Sequence, residues 1–160
     1  MTDIRWLDAE EALAWRSLVM ANARLMATLD HELMAQDRIS LPDYEVLMHL
    51  SETPEQRLRM TELAERVHLS PSGLTRRVDR LVRSRLVSRE QCHDDRRGSF
   101  AVLSPQGAAV LAKAAPTHLV GVRTHLIDLL DRDEITALSK IMTRVMDACK
   151  VPTSMNNAAR

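Results

Sequence analysis

The stretch that most constrains the fold is an amphipathic segment beginning at Ser70, "SPSGLTRRVDRLVR". Ser70 can cap a helix, and Pro71 suits the first helical position, where a missing N–H is not needed. At about 100° per residue, aliphatic side chains recur along one face. They are Leu74, Val78, Leu81 and Val82. The sequence therefore predicts a helix that runs to about Ser84 and packs by one side.

The opposite face of this helix is polar and basic. Between Ser70 and Arg89 there are six arginines and one acid, although the whole chain has zero net charge. Ser72, Arg76, Arg80 and Arg83 share the outer face, and Thr75 and Arg77 lie on its two flanks. Residues 57–97 carry a net charge of +5, so the remainder carries −5. This charge favours an anionic partner such as nucleic acid, and the alternative is an ordinary solvated amphipathic helix.

The neighbouring segments place the basic helix in a recognisable order. A second helix begins around Leu41, and "RMTELAERVHL" predicts a short helix with Thr61 as its N-cap. After the basic helix, "LVSRE" and "SFAVLS" predict two strands joined by a polar loop. Short helix, turn, basic helix and hairpin together predict a winged helix-turn-helix.

In that fold the basic helix enters the major groove of DNA. Ser72 and Gly73 are small enough for the backbone to approach DNA closely, and Arg76 is placed to reach base edges. The remaining arginines of this helix are better placed to contact phosphates: Arg77, Arg80 and Arg83. Phosphate contacts fix the position of the protein on the duplex but do not read the base sequence. The N-terminus of the helix also favours phosphate.

Long aliphatic helices flank this region. The first predicted helix covers Ala9 to about Gln36 and has leucine or alanine at three- and four-residue steps. Residues 108–130 form a long aliphatic segment, and a last helix is predicted over Asp131–Lys150. These stripes are longer than a small DNA-reading unit can bury. We therefore expect the flanking helices to form a homodimer, and the alternative is one intramolecular bundle.

The segment "HDDRRGSFAVLSPQG" carries a specific resemblance. Its Asp-x-Arg-Gly turn, short strand, Leu-Ser pair and following glycine are similar to the wing of the multiple-antibiotic-resistance regulator (MarR) family. The matching residues are Asp95, Arg97, Gly98, Leu103, Ser104 and Gly107. The basic helix resembles the family's recognition helix, and the likeness extends over nearly the whole chain. The alternative for the wing residues is an ordinary charged turn.

The resemblance implies a mainly α fold with a small β-hairpin wing, in one MarR-type domain over residues 1–160. Residues 41–104 would be the winged helix-turn-helix, 5–37 and 105–150 the dimerisation helices, and 151–160 a flexible tail. Arg97 would enter the minor groove of double-stranded DNA and Asp95 would hold the wing. DNA contacts are thus expected at Ser70, Ser72, Gly73, Thr75, Arg76, Arg77, Arg80, Asp95, Arg96 and Arg97.

One residue departs from the family pattern. The family usually has glycine just after the recognition helix, where this chain has Arg85. If that position is left-handed, a residue other than glycine costs about 1 kcal/mol. The departure leaves the DNA-binding prediction standing but bears on how the helix ends and how the wing is angled.

The resemblance further implies a repressor of a pseudo-palindromic operator, released by a small anionic or phenolic effector. The expected pocket residues are Trp15, Arg16, Met20, His31, Asp43 and Tyr44. The alternative for Trp15 is a place in the core, and for Arg16 a solvated surface.

Other functions have weaker support in the sequence. No catalytic motif is recognised, so an enzyme, a cofactor and a metal site are not expected. Cys92 could oxidise in its arginine-rich loop, and six histidines leave a metal-responsive regulator open. A winged-helix interaction module that has lost DNA binding is also an alternative. No membrane span or secretion signal is evident, which predicts a cytoplasmic protein.

Overall fold

A computed structural model describes residues 4–91 and 98–149 of the chain. Its helices are α1 (Ala9–Asp37), α2 (Leu41–Ser51), α3 (Met60–Arg66), α4 (Pro71–Arg83), α5 (Pro105–His125) and α6 (Arg132–Ala148). Its strands are β1 (Arg57–Arg59), β2 (Val87–Gln91) and β3 (Ser99–Leu103). Within these described ranges, no helix combines the length and apolar character needed to cross a bilayer. The chain divides after Val122 into two compact units.

Side-chain caps explain where most helices begin. Asp8 forms a reciprocal capping box with Glu11 at the start of α1, and Asp131 does the same at the start of α6. The predicted cap at Thr61 is wrong. Helix α3 begins at Met60, its N-cap is Arg59, and no side chain caps it. Strand β1 leads directly into this helix, so the chain is already extended at Arg59 and no separate capping turn is needed.

The core of the first unit is aliphatic. It combines the C-terminal half of α1 with α2, α3, α4 and the sheet. Its largest fully buried side chains are Leu33, Leu47, Leu50, Leu63, Leu74, Leu81, Val46 and Val78. Only part of the predicted apolar stripe of α1 is buried by the chain itself. Leu29 and Leu33 are buried, whereas Leu18 and Val19 are exposed.

The sheet has one strand more than the predicted hairpin. Its order is β1-β3-β2, and both pairings are antiparallel. Strand β1 pairs Leu58 with Ala101 of β3, and both side chains are buried. The predicted pair of strands is confirmed as β2 and β3. The third strand was missed because three residues give too short a pattern for sequence periodicity.

Close backbone contact fixes the start of α5. A Cβ atom added to Gly107 would lie 2.1 Å from the carbonyl oxygen of Leu86. Ser104 contributes to the same junction, since its hydroxyl donates to the carbonyl of Arg85 at 2.7 Å and accepts from the N–H of Gly107 at 2.9 Å. Glycine at position 107 thus lets α5 approach the chain that leaves α4.

The predicted aliphatic stretch over residues 108–130 is not one continuous helix. Helix α5 ends at His125, and a short 3-10 helix covers Ile127–Leu129. The backbone at Leu126 (φ −140°, ψ −63°) departs from helical geometry and separates the two. In the second unit, α6 begins after Asp131 as predicted, and none of its residues is buried.

Candidate DNA-binding site

Helix α4 has the predicted start and the predicted inner face. The hydroxyl of Ser70 accepts the N–H of Gly73 at 3.2 Å, with Pro71 in the first turn. Leu74, Val78 and Leu81 are 2% exposed or less. Burying these aliphatic side chains stabilises the helix against the core by about 1.5–3 kcal/mol each as an upper estimate. The helix is therefore fixed on one side and presents its other side outward.

The outward side of α4 is polar and positively charged, as predicted. Ser72, Thr75, Arg76, Arg80 and Arg83 are all exposed. Among the residues that the structure describes, the side chains of Arg76 and Arg83 have no hydrogen-bond or ion-pair partner. Their guanidinium groups are available to phosphates or base edges, which is the chemistry that DNA recognition requires.

The turn before α4 uses a left-handed residue. His68 has φ 51° and donates its N–H to the carbonyl of Glu65 at 3.2 Å. The N–H of Leu69 donates to the carbonyl of Ala64 at 2.9 Å. These two bonds close the C-terminus of α3 in a Schellman motif and bring the chain to Ser70 within a few residues. The helix-turn-helix geometry therefore follows from local hydrogen bonding.

One flank of α4 is tied to α2 by Asp43. Its Oδ1 accepts from Nη1 of Arg77 at 3.2 Å and from Nη2 of Arg80 at 2.8 Å. The hydrogen bond and the charge of Asp43 raise the pKa of Arg80 above its ordinary value. The sequence placed Asp43 in an effector pocket, whereas the structure shows it bound to two arginines that were predicted to contact phosphate.

The other flank of α4 is tied to β2 by Arg89. Its Nη2 lies 3.0 Å from Oδ1 of Asp79 and donates to the carbonyl oxygen of Thr75 at 3.3 Å. Sequence reasoning counted Arg89 as part of the positive charge and assigned it no contact. Its partner at position 79 lies ten residues away, across the end of a helix, and the spacing contains no local signal for such a pair.

The end of α4 explains the departure at Arg85. This residue has φ 60°, and its N–H donates to the carbonyl of Val82 at 2.9 Å. The N–H of Leu86 donates to the carbonyl of Leu81 at 2.9 Å. These are the two bonds of a Schellman motif, whose left-handed position usually holds glycine. The residue after the recognition helix is therefore left-handed, which is the case for which the sequence analysis expected a cost, and arginine occupies it in place of glycine.

The six residues of the predicted effector pocket make contacts with different parts of the fold. Trp15, Arg16, Met20 and His31 are exposed along α1, and Asp43 is engaged with α4. Tyr44 is buried, and its ring centroid lies 4.7 Å from that of His118 in α5. Burial raises the pKa of Tyr44 and lowers that of His118. These contacts do not join the six residues into one pocket, and the pocket stays a prediction.

The wing tip lies outside the described residues. Asp95, Arg96 and Arg97, predicted to contact DNA, and Cys92, considered as a redox site, all fall there. The strands that lead to the tip are described, and they pair Gln91 with Ser99. Among the described residues, no group of three metal-ligating side chains is close enough to hold an ion.

A short helix, a turn, a second helix with an outward basic face and a three-stranded sheet define a winged helix-turn-helix protein. Comparisons with known proteins identify which kind. The MarR family model matches residues 39–99. The MarR family regulator AbsC of Streptomyces coelicolor is 38% identical, with a TM-score of 0.86 over 91% of this chain and 97% of that one.

Two further relatives agree with this match. The regulator Sco3205 of Streptomyces coelicolor, solved in complex with DNA, is 38% identical, with a TM-score of 0.90 over 96% of both chains. The HTH-type transcriptional repressor YetL of Bacillus subtilis is 25% identical over 128 residues, 80% of this chain and 76% of YetL. This chain belongs to the MarR family of transcriptional regulators, which are DNA-binding proteins and not enzymes.

Proposed function

We propose that this chain is a homodimeric repressor that binds a pseudo-palindromic operator and is released by a small anionic or phenolic ligand. The observation that carries the proposal is the exposed, basic outer face of α4. The opposite face of this helix packs into the core through the buried side chains of Leu74, Val78 and Leu81. A relative with 38% identity was solved in complex with DNA, which supports the same partner here.

Several residues on the outer side of α4 have roles that follow from their positions. Ser72 and Gly73 in the first turn let the backbone come close to DNA, and the N–H groups there favour phosphate. Arg76 lies one turn further along and reaches base edges, where a bidentate guanidinium distinguishes guanine. Arg83 and the outer part of Arg80 contact phosphates, which sets register. Arg97 in the wing contacts a narrow minor groove.

Exposed apolar side chains support a homodimer. Near the N-terminus Trp6 is 81% exposed and Trp15 is 59% exposed. Others on α1 are Leu13, Leu18, Val19, Met20 and Met26, and in the second unit Ile141, Val145 and Met146 are exposed on α6. Exposed apolar surface of this extent marks an association surface. A symmetric dimer also places two recognition helices in successive major grooves, about 34 Å apart.

The effector proposal depends on residues that offer charge, hydrogen bonds and aromatic surface. Arg16 is exposed on α1 and can attract an anion, His31 on the same helix can donate a hydrogen bond, and Trp15 supplies exposed aromatic surface. Tyr44 is buried, so it would line only the inner side of such a pocket. A ligand that binds the dimer differently in its DNA-bound and released spacings shifts the balance between them. The repressor role is supported by the YetL relative, whose name states that activity.

Fluorescence anisotropy with labelled DNA tests the contacts. Arg76→Ala should relax base preference at one position per half-site, by about 1–3 kcal/mol. Arg97→Ala should weaken binding most where the operator has a narrow minor groove. If neither substitution changes affinity or base preference, the proposed contacts are wrong. A winged-helix interaction module would show no salt-dependent DNA binding at all.

A further inference from the structure

Asp43 is placed where it can control how strongly α4 holds DNA of any sequence. Its side chain is 14% exposed and lies in the first turn of α2, where a helix N-terminus stabilises negative charge. The N–H of Asp43 is itself held by the carbonyl and hydroxyl oxygens of Ser40, at 3.0 and 3.3 Å. The carboxylate is therefore fixed in position beside the recognition helix.

The two arginines that Asp43 binds are unequal. The side chain of Arg77 is 21% exposed, and its Nε is buried without a hydrogen-bond partner among the described residues. The side chain of Arg80 is 53% exposed and makes the shorter contact. Arg77 is thus largely enclosed by the protein, while Arg80 has access both to Asp43 and to a phosphate outside.

An arginine paired with a carboxylate contributes less to DNA binding than an unpaired one. When such an arginine contacts a phosphate, its guanidinium group must either leave Asp43 or bind both groups at once. In addition, the negative carboxylate of Asp43 repels the negative phosphate. This penalty is largest for DNA of arbitrary sequence, whose binding is almost entirely electrostatic. It is smaller for an operator, because base contacts by Arg76 hold α4 in one register, and the complex then depends less on a phosphate contact by Arg80.

We propose that Asp43 is a positioning residue that restrains Arg77 and Arg80 and thereby lowers the affinity for non-specific DNA. Asp43 would thereby raise the ratio of the affinity for the operator to the affinity for non-specific DNA, without contacting DNA itself. This inference rests on the proposed placement of α4 against DNA.

The test compares Asp43→Asn with the wild-type protein on two labelled duplexes of about 30 base pairs, enough for two half-sites one helical turn apart. One duplex has arbitrary sequence, and the other is selected by the wild-type protein from a random pool. The amide is nearly isosteric, keeps one acceptor oxygen and removes the charge. Affinity is measured by anisotropy over a range of salt concentrations, and folding is checked by thermal unfolding.

The wild-type protein should bind both duplexes with affinity that falls as salt rises. Asp43→Asn should bind the arbitrary duplex about 3- to 10-fold more tightly, with a slope of log affinity against log salt steeper by about 1–2, as expected for one or two additional phosphate contacts per dimer. The selected duplex should gain less, so the specificity ratio should fall. In an Arg80→Gln background, Asp43→Asn should have a much smaller effect.

A matched control removes an acid that also pairs with an arginine. Asp128 pairs with Arg123 outside the helix-turn-helix, so Asp128→Asn makes the same change in net charge and should leave the salt slope as in the wild type. An unchanged slope and affinity in Asp43→Asn, with the wild type binding normally, would overturn this inference alone. An equal increase in Asp128→Asn would overturn it too, because net charge would then explain the gain. Absence of DNA binding by the wild type would overturn the proposed function as well.

Discussion

Substitution of Arg85 by glycine should stabilise this protein. Arg85 has φ 60° at the left-handed position that ends α4. A side chain at such a position costs about 1–2 kcal/mol relative to glycine. Its own side chain is exposed and has no partner among the described residues, so the substitution removes no contact there. The backbone bonds to Val82 and Ser104 do not involve the side chain and should persist.

The gain is reduced by the greater freedom of glycine in the unfolded chain, about 0.5–1 kcal/mol. The net expectation is a rise of about 0.5–1 kcal/mol in the free energy of unfolding. For a chain of this size it corresponds to an increase of about 1–4 °C in Tm. Thermal and urea unfolding at one fixed protein concentration would measure it, because dimerisation makes Tm depend on concentration.

The matched control is Arg83→Gly, two residues earlier in the chain. Arg83 is the last residue of α4, is equally exposed and has ordinary helical geometry. Glycine there should lower the free energy of unfolding by about 0.5–1 kcal/mol, because it has a lower helix propensity than arginine. If Arg85→Gly lowered Tm as Arg83→Gly does, backbone strain at Arg85 would not be the relevant quantity and the reasoning would fail.

Two further predictions concern α5. Gly107→Ala should destabilise the protein by about 1–3 kcal/mol, because its Cβ would lie 2.1 Å from the carbonyl oxygen of Leu86; urea unfolding measures this, and an unchanged midpoint would contradict it. Burial lowers the pKa of His118, so the unfolded chain takes up its proton first. The buried, neutral form of His118 therefore contributes fully to the free energy of unfolding above about pH 6.5, the ordinary pKa of histidine. This contribution decreases as the pH falls from there toward the lowered pKa of His118 in the folded protein. His118→Gln should reduce the loss of Tm between about pH 7 and pH 5, and an identical loss in both proteins would refute this.

Local signals made α4 predictable from the sequence. Ser70 and Pro71 mark its start, and the spacing of Leu74, Val78 and Leu81 defines its buried face. All of this information lies within one short segment. The same holds for α6, whose predicted start at Asp131 lies one residue from its observed start at Arg132.

Features that depend on distant partners were not predictable in this way. Strand β1 is three residues long and exists because it pairs with β3, so that Arg57 faces Val102 across 45 positions of sequence. The bonds from Asp43 to Arg77 and Arg80 likewise join segments more than 30 residues apart. Sequence periodicity reports on one element at a time and does not contain such pairings.

The central claim is that two copies of this chain hold duplex DNA through their arginine-bearing helices. Sedimentation velocity with a labelled duplex, selected from a random pool and repeated at increasing salt, measures stoichiometry and charge dependence together. We expect two protomers per duplex and an affinity that falls steeply with salt, in proportion to the number of phosphates contacted. A protein that sediments as a monomer, or that leaves the duplex unbound even at low salt, would contradict the claim.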